Sequence, residues 1–152
     1  MHKTTSQIRD IEVIEKELIN NPIGVLAMGL KDEKIVQQAI TFLYQDKNVY
    51  FFFKGNDEEF EDINMDNNVS FTIIKFEKTK KEVKTEFVPL YNIVSITITG
   101  LIKVVEDPKL VSLLVENYNN KYSKDGEEEE TKPTRVVFID TEEIQAYEEI
   151  GG

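Results

Sequence analysis

Residues 92–106 read NIVSITITGLIKVVE, from Asn92 to Glu106. Within this run Ser95, Thr97 and Thr99 alternate with Ile96 and Ile98. Alternation with period two is the mark of a strand that buries one face. Gly100 breaks the pattern and predicts a bulge inside a long strand. A strand of this length needs partners on both sides.

Upstream, four shorter runs have strand character. They are Ile23 to Gly29, Ile35 to Tyr44, Asn48 to Lys54 and Val69 to Phe76. Lys31-Asp32-Glu33 and Gln45-Asp46-Lys47 are polar turn candidates between the first three, predicting an antiparallel meander. Downstream, Arg135 to Asp140 supplies a sixth strand. Helices fill the gaps. Ile8, Ile11, Ile14, Leu18 and Ile19 recur at helical spacing, predicting an N-terminal helix over Gln7–Asn20, with Thr4 and Gln7 spaced as a capping box. Asn56 followed by Asp57, Glu58 and Glu59 predicts a short helix ending near Met65. Asp107-Pro108 opens a third helix, with Leu110, Leu113, Leu114 and Tyr118 as its apolar face up to about Tyr122. Glu77–Glu86 reads as a solvated loop or an exposed hairpin, and the acidic stretch within 124–132 as an exposed loop. Glu142, Glu143, Glu148 and Glu149 read as a solvent face. The expectation is a single domain over 1–152, with a barrel over about 23–140.

Composition removes whole classes of function. The chain has 152 residues, 29 acidic and 18 basic, with a formal net charge of -11, one histidine and no cysteine or tryptophan. Without Cys there is no disulfide frame, thiolate nucleophile or Cys-based zinc site. His2 alone, near the start of the chain, does not make a Ser-His-Asp triad, a multi-His metal site or a haem ligand. Neither Gly-rich nucleotide signature occurs. A charge of -11 opposes nucleic acid, whose binding needs clustered Lys and Arg. No apolar run reaches the roughly 18 residues of a membrane span. Met1–Asp10 is polar and lacks an apolar h-region, so the chain reads as cytoplasmic. No side chain stands out as catalytic or as a metal ligand. If the protein is an enzyme, a cofactor carries the reactive groups.

The ordered set of motifs resembles the FMN-binding split-barrel superfamily: pyridoxamine phosphate oxidases, general stress flavoproteins and nitroimidazole-resistance proteins. Pro22-Ile23-Gly24-Val25-Leu26-Ala27 resembles the family's "G-x-L-A" first strand. Thr41-Phe42-Leu43-Tyr44 is similar to its second strand, and Val49-Tyr50-Phe51-Phe52-Phe53 to its third, "iYfHSA". Phe60, Ile63 and Asn68-Val69-Ser70-Phe71 match the following helix and strand. Tyr91 to Glu106 resembles a later segment with Gly100 at its glycine. The likeness spans roughly residues 8–148. It implies a six-stranded antiparallel split β-barrel with peripheral helices, a homodimer, and FMN in clefts between the subunits. It also implies redox chemistry on a small-molecule substrate. The pocket residues it implies are Thr41, Phe42, Phe52, Phe53, Lys54 and Asn56.

The chain departs from the pattern at the cofactor. The family's phosphate grip, a G-[HR]-K stretch, aligns with Asp57, Glu58 and Glu59. Its strand-three His and Ser align with Phe52 and Phe53, and its strand-two Pro and Asn with Ala39 and Thr41. Three carboxylates repel a phosphate dianion by several kT. Two readings stay open: FMN is held by backbone groups with Lys54 or another lysine at the phosphate, or the fold is kept as a binding module without FMN.

Overall fold

The computed structural model describes residues 3–54, 58–78, 90–122 and 134–151. Its strands are β1 (Lys3–Gln7), β2 (Gly24–Gly29), β3 (Ile35–Ile40), β4 (Leu43–Gln45), β5 (Asn48–Lys54), β6 (Asn68–Lys78), β7 (Tyr91–Val104) and β8 (Thr134–Gly151). Its helices are α1 (Ile11–Asn20), α2 (Glu58–Asp62) and α3 (Pro108–Tyr122). The eight strands form one antiparallel sheet ordered β3-β2-β6-β7-β8-β5-β4, with β1 beside β8. The fold class expected from sequence, mostly β with peripheral helices, is the one observed.

The strand at 92–106 is β7, and it lies between β6 and β8 as its length requires. The register with β8 shifts between Thr99 and Gly100, so the bulge stands at the predicted glycine. A Cβ at Gly100 would collide with the Asp140 carbonyl, which is why only glycine fits there.

Four expectations need correction. The first helix starts at Ile11, not Gln7, and its cap is Asp10, whose carboxylate accepts from the Glu12 N–H at 3.0 Å. Residues 3–7 are instead a strand, because the free edge of β8 offers ladder partners from Tyr147 to Gly151. The run 35–44 is broken into β3 and β4 at Thr41-Phe42, for a reason given below. The first three runs do not form a consecutive meander: β2 pairs with β3 and β6, while the β4–β5 hairpin pairs with β8. Finally, β8 runs on to Gly151, so Glu148 and Glu149 are half-buried sheet residues. Glu149 is bound by Lys3 at 3.1 Å and by the Tyr91 hydroxyl at 3.0 Å. The two extra strands beyond the expected six are thus β1 and the product of that break.

The sheet has two faces. The inner face holds Leu26, Phe51, Phe53, Phe71, Ile73, Ile96, Ile98 and Ile139, with Ile14 and Leu18 of α1 packed into it. On the outer face α3 covers Leu43, Tyr50, Val105 and Val136 with Leu114, which is fully buried. The α3 contact face also includes Leu110, Val111, Val115 and Tyr118. Leu113, expected on it, is 48% exposed. The acidic stretch 125–130 and residues 79–86 lie outside the described residues.

Candidate functional site

The six residues implied by resemblance fall in three places. Strand alternation puts Phe53 on the inner face, 3% exposed and 5.8 Å from the Phe60 ring. Phe52, one residue earlier, faces the other way and lies 4.3 Å from the Tyr118 ring of α3. Phe42 is fully buried, edge-on to Phe71 at 4.8 Å. Thr41 shares a hydrogen bond of 2.6 Å with the Tyr118 hydroxyl. Lys54 is exposed at the end of β5, and Asn56 lies outside the described residues. The fold therefore gathers Thr41, Phe42 and Phe52 under the last turns of α3 and separates Phe53 and Lys54 from them.

What holds this cluster is the break in the long upstream run. The Phe42 N–H donates to the Tyr122 hydroxyl oxygen at 3.0 Å instead of to a neighbouring strand. The same hydroxyl lies 2.8 Å from the carbonyls of both Phe42 and Pro22. Lys121 donates to the Phe42 carbonyl at 3.0 Å. With both backbone groups of Phe42 satisfied by α3 side chains, the ladder has nothing to close on, and β3 ends. Tyr118 and Tyr122, at i and i+4, are the two aromatic posts of this arrangement, their rings 4.8 Å apart. The sequence places Tyr118 on the helix's apolar face and Tyr122 at its end, where packing against the barrel is the default expectation.

Lys121 is the residue that sequence reading missed. Its ammonium sits 3.9 Å from the centre of the Phe42 ring, an attractive cation–π position. No carboxylate among the described residues forms an ion pair with it. Burial alone pushes its pKa down to about 8. Spacing could have flagged it: Tyr118, Lys121 and Tyr122 share one helical face at i, i+3 and i+4. Lys75 and Lys103 are both engaged elsewhere, with Glu17 and Glu77, and with Asp140.

The arrangement is an aromatic wall with three hydroxyls and one half-buried ammonium that has no counter-charge among the described residues. Such a site suits a flat ligand carrying an anionic oxygen. The N-terminus of α2 does not suit a phosphate: the helix has five residues and opens on the exposed Glu58. Among the described residues no group of carboxylates and imidazoles is placed to hold a metal ion. No described helix is long and apolar enough to cross a membrane.

Comparison of the whole structure with solved ones gives long matches at low identity. A candidate 5-nitroimidazole antibiotic resistance protein from Bacteroides thetaiotaomicron superposes with a TM-score of 0.73 at 15% identity, over 99% of this chain and 90% of its own. The chain has the split-barrel fold. An FAD-binding protein from Mycobacterium smegmatis shares it, with a TM-score of 0.62 at 15% identity, over 94% and 98% of the two chains. A candidate pyridoxamine 5'-phosphate oxidase from Corynebacterium glutamicum matches with a TM-score of 0.62 at 16% identity, over 95% and 98%. At such identities the likeness to these split barrels establishes the fold, and chemistry has to come from the site. No family model matches the sequence, and no curated protein matches it. The split-barrel architecture implied by the motifs is thus present, with β4 and β5 meeting under α3.

Proposed function

We propose that this split barrel is a homodimeric flavin-binding protein that uses FMN to oxidise or reduce a small molecule. The observation that carries the reading is the half-buried Lys121 ammonium over the Phe42 ring, on the same helical face as Tyr118, which holds Thr41 and Phe52, with no carboxylate partner among the described residues. Three solved proteins of the same fold are named for flavin binding, pyridoxamine phosphate oxidation or nitroimidazole resistance, which supports the class of chemistry.

The residues fit a flavin on the α3 side of the site and not at the α2 N-terminus. Bound there, the isoalloxazine supplies the electron-transfer chemistry that the chain's own side chains lack. Lys121 would hold an anionic oxygen of the cofactor there, and burial would strengthen that attraction relative to water. The Thr41 and Tyr118 hydroxyls would orient polar ring atoms, and Phe52 and Tyr118 would offer aromatic faces. The second copy packs on the outward face of β2, β6 and β8, where Val25, Ile74, Phe76 and Tyr147 are uncovered. The test is titration of purified protein with FMN, read by the flavin's visible absorption and by fluorescence quenching. Saturable binding is expected, weakened about tenfold by Lys121→Ala. A protein that stays colourless at saturating FMN overturns the reading.

A second reading has its own observation. Tyr118 lies against Phe52 at 4.3 Å and bonds Thr41, so those two groups are satisfied within the chain. In that case the fold serves as a binding or interaction module without FMN. Tyr118→Ala separates the two: it restores FMN binding if the tyrosine occludes the site, and weakens it if the tyrosine is part of the wall.

A further inference from the structure

A cavity of about 440 Å³ opens on the far side of the sheet from α3, between β1, α1 and the ends of β6, β7 and β8. It lies away from the site above. Phe52 is level with Val136 on β8, whereas this cavity meets β8 at Glu148, twelve residues further on. Its volume is that of a small-ligand site.

The walls are of two kinds. Ile8, Val13 and Val94 give an apolar side. Among them stand three carboxylates, Glu17, Glu77 and Glu148, and a single ammonium, Lys75, with Val94 between Lys75 and Glu148 on one rung of the sheet. The Lys75 Nζ bridges two of the acids, 3.3 Å from Glu17 and 3.1 Å from Glu77. The cavity therefore already holds one alkylammonium group, and its wall shows what chemistry recognises one. Glu148 has no cation: it accepts from the Asn92 amide at 3.1 Å and forms no ion pair among the described residues. The lining keeps an excess of two negative charges over its one positive charge. The chain's formal charge of -11 adds a field of the same sign.

We infer that this cavity binds an aliphatic diamine or longer polyamine. One ammonium pairs with Glu148, the methylene chain lies along Ile8, Val13 and Val94, and a further ammonium joins Lys75 at Glu17 and Glu77. A bare metal ion is the weaker occupant, because the carboxylates do not converge as a ligand set. The site needs no flavin and stands independently of the function proposed above.

Isothermal titration of the full chain with spermidine at low ionic strength tests the inference. The expected result is saturable one-to-one binding, with no heat from butane-1,4-diol, which has the same length of carbon chain as the spermidine diaminobutane unit and no charge. Glu148→Gln should weaken binding about fivefold. Lys75→Gln should tighten it, because the built-in ammonium no longer competes for Glu17 and Glu77. Glu142→Gln, an exposed acid on the same strand, should leave it unchanged. Absence of saturable binding, or equal weakening by Glu142→Gln and Glu148→Gln, overturns the proposal; the second outcome would mean diffuse attraction to an acidic surface.

Discussion

The outer face of the sheet is two unlike halves made from one set of strands. Where β8 runs from Thr134 to Asp140, α3 lies on it, and Leu43, Tyr50, Val136 and Leu114 are buried together. Where β8 runs from Glu142 to Gly151, no element of the described chain covers that face. There Ile74 and Phe76 are 62% and 60% exposed, and Tyr147 stands beside Ser95 in the ladder. The residue types are similar, so apolar content alone does not decide which surface is core. The difference is made by the one helix that follows β7, which is long enough to cover only the nearer half. The Gly100 bulge lies at the border, opposite Thr141, where the strand changes from the covered half to the bare one.

The largest expected effect contrasts the halves directly. Leu114→Ala should lower the unfolding free energy by about 2–5 kcal/mol, through lost burial and the cavity left under α3. Ile74→Ala should change it by less than about 0.5 kcal/mol in a monomer. Urea unfolding at several protein concentrations measures both, and a large, concentration-dependent effect of Ile74→Ala would reveal that a second copy buries the bare half. Next comes the border. Gly100→Val should cost about 3 kcal/mol, because its side chain meets the Asp140 carbonyl and the bulge cannot relax without breaking the ladder. If the melting point of that variant matches the parent, the two halves are not registered by the bulge.

Two smaller effects sharpen the picture. Placing Asp at Ile74 and Phe76 together should raise a dimer dissociation constant by more than about hundredfold, seen by light scattering, while leaving monomer stability nearly unchanged. On the covered half, Lys121 gives a pH signature. Its folded pKa is depressed to about 8, below its ordinary value of 10.5, so the unfolded chain holds the proton more tightly over that interval. Stability should therefore rise with pH from about 8 upward, and Lys121→Met should flatten that slope. Burial raises the Tyr44 pKa to about 12 with help from Glu15, so that group lowers stability as pH climbs above its ordinary value of 10. Chemical denaturation between pH 7 and 10 resolves the lysine contribution from the tyrosine one.

Much of this fold was legible in single residues. The Ser/Thr–Ile alternation of β7, the glycine of its bulge and the Asp-Pro start of α3 act locally, so sequence shows them. What sequence did not show is non-local. β1 exists because β8 has a free edge, and that edge depends on where β5 stops pairing. The break at Thr41-Phe42 depends on Tyr122 and Lys121, 80 and 79 residues away. No window around Phe42 contains them. The site was legible in part for the same reason. Resemblance brought Thr41, Phe42 and Phe52 forward, but the opposite faces of Phe52 and Phe53 follow from strand alternation. Lys121 became visible only when α3 was laid on the sheet.

The pairing of β1 with the end of β8 also has a mechanical meaning. Lys3 is the register partner of Gly151, so two positions at opposite ends of the sequence are neighbours on the same rung. Tension applied between them loads that single rung first, then Thr4 with Ile150, and so on to Gln7 with Tyr147. The strands peel apart one pair at a time, as a zipper does, instead of resisting together in shear. The split barrel is therefore softest along the line that joins these two residues. Stretching it there should detach β1 at low force while the sheet behind it stays closed.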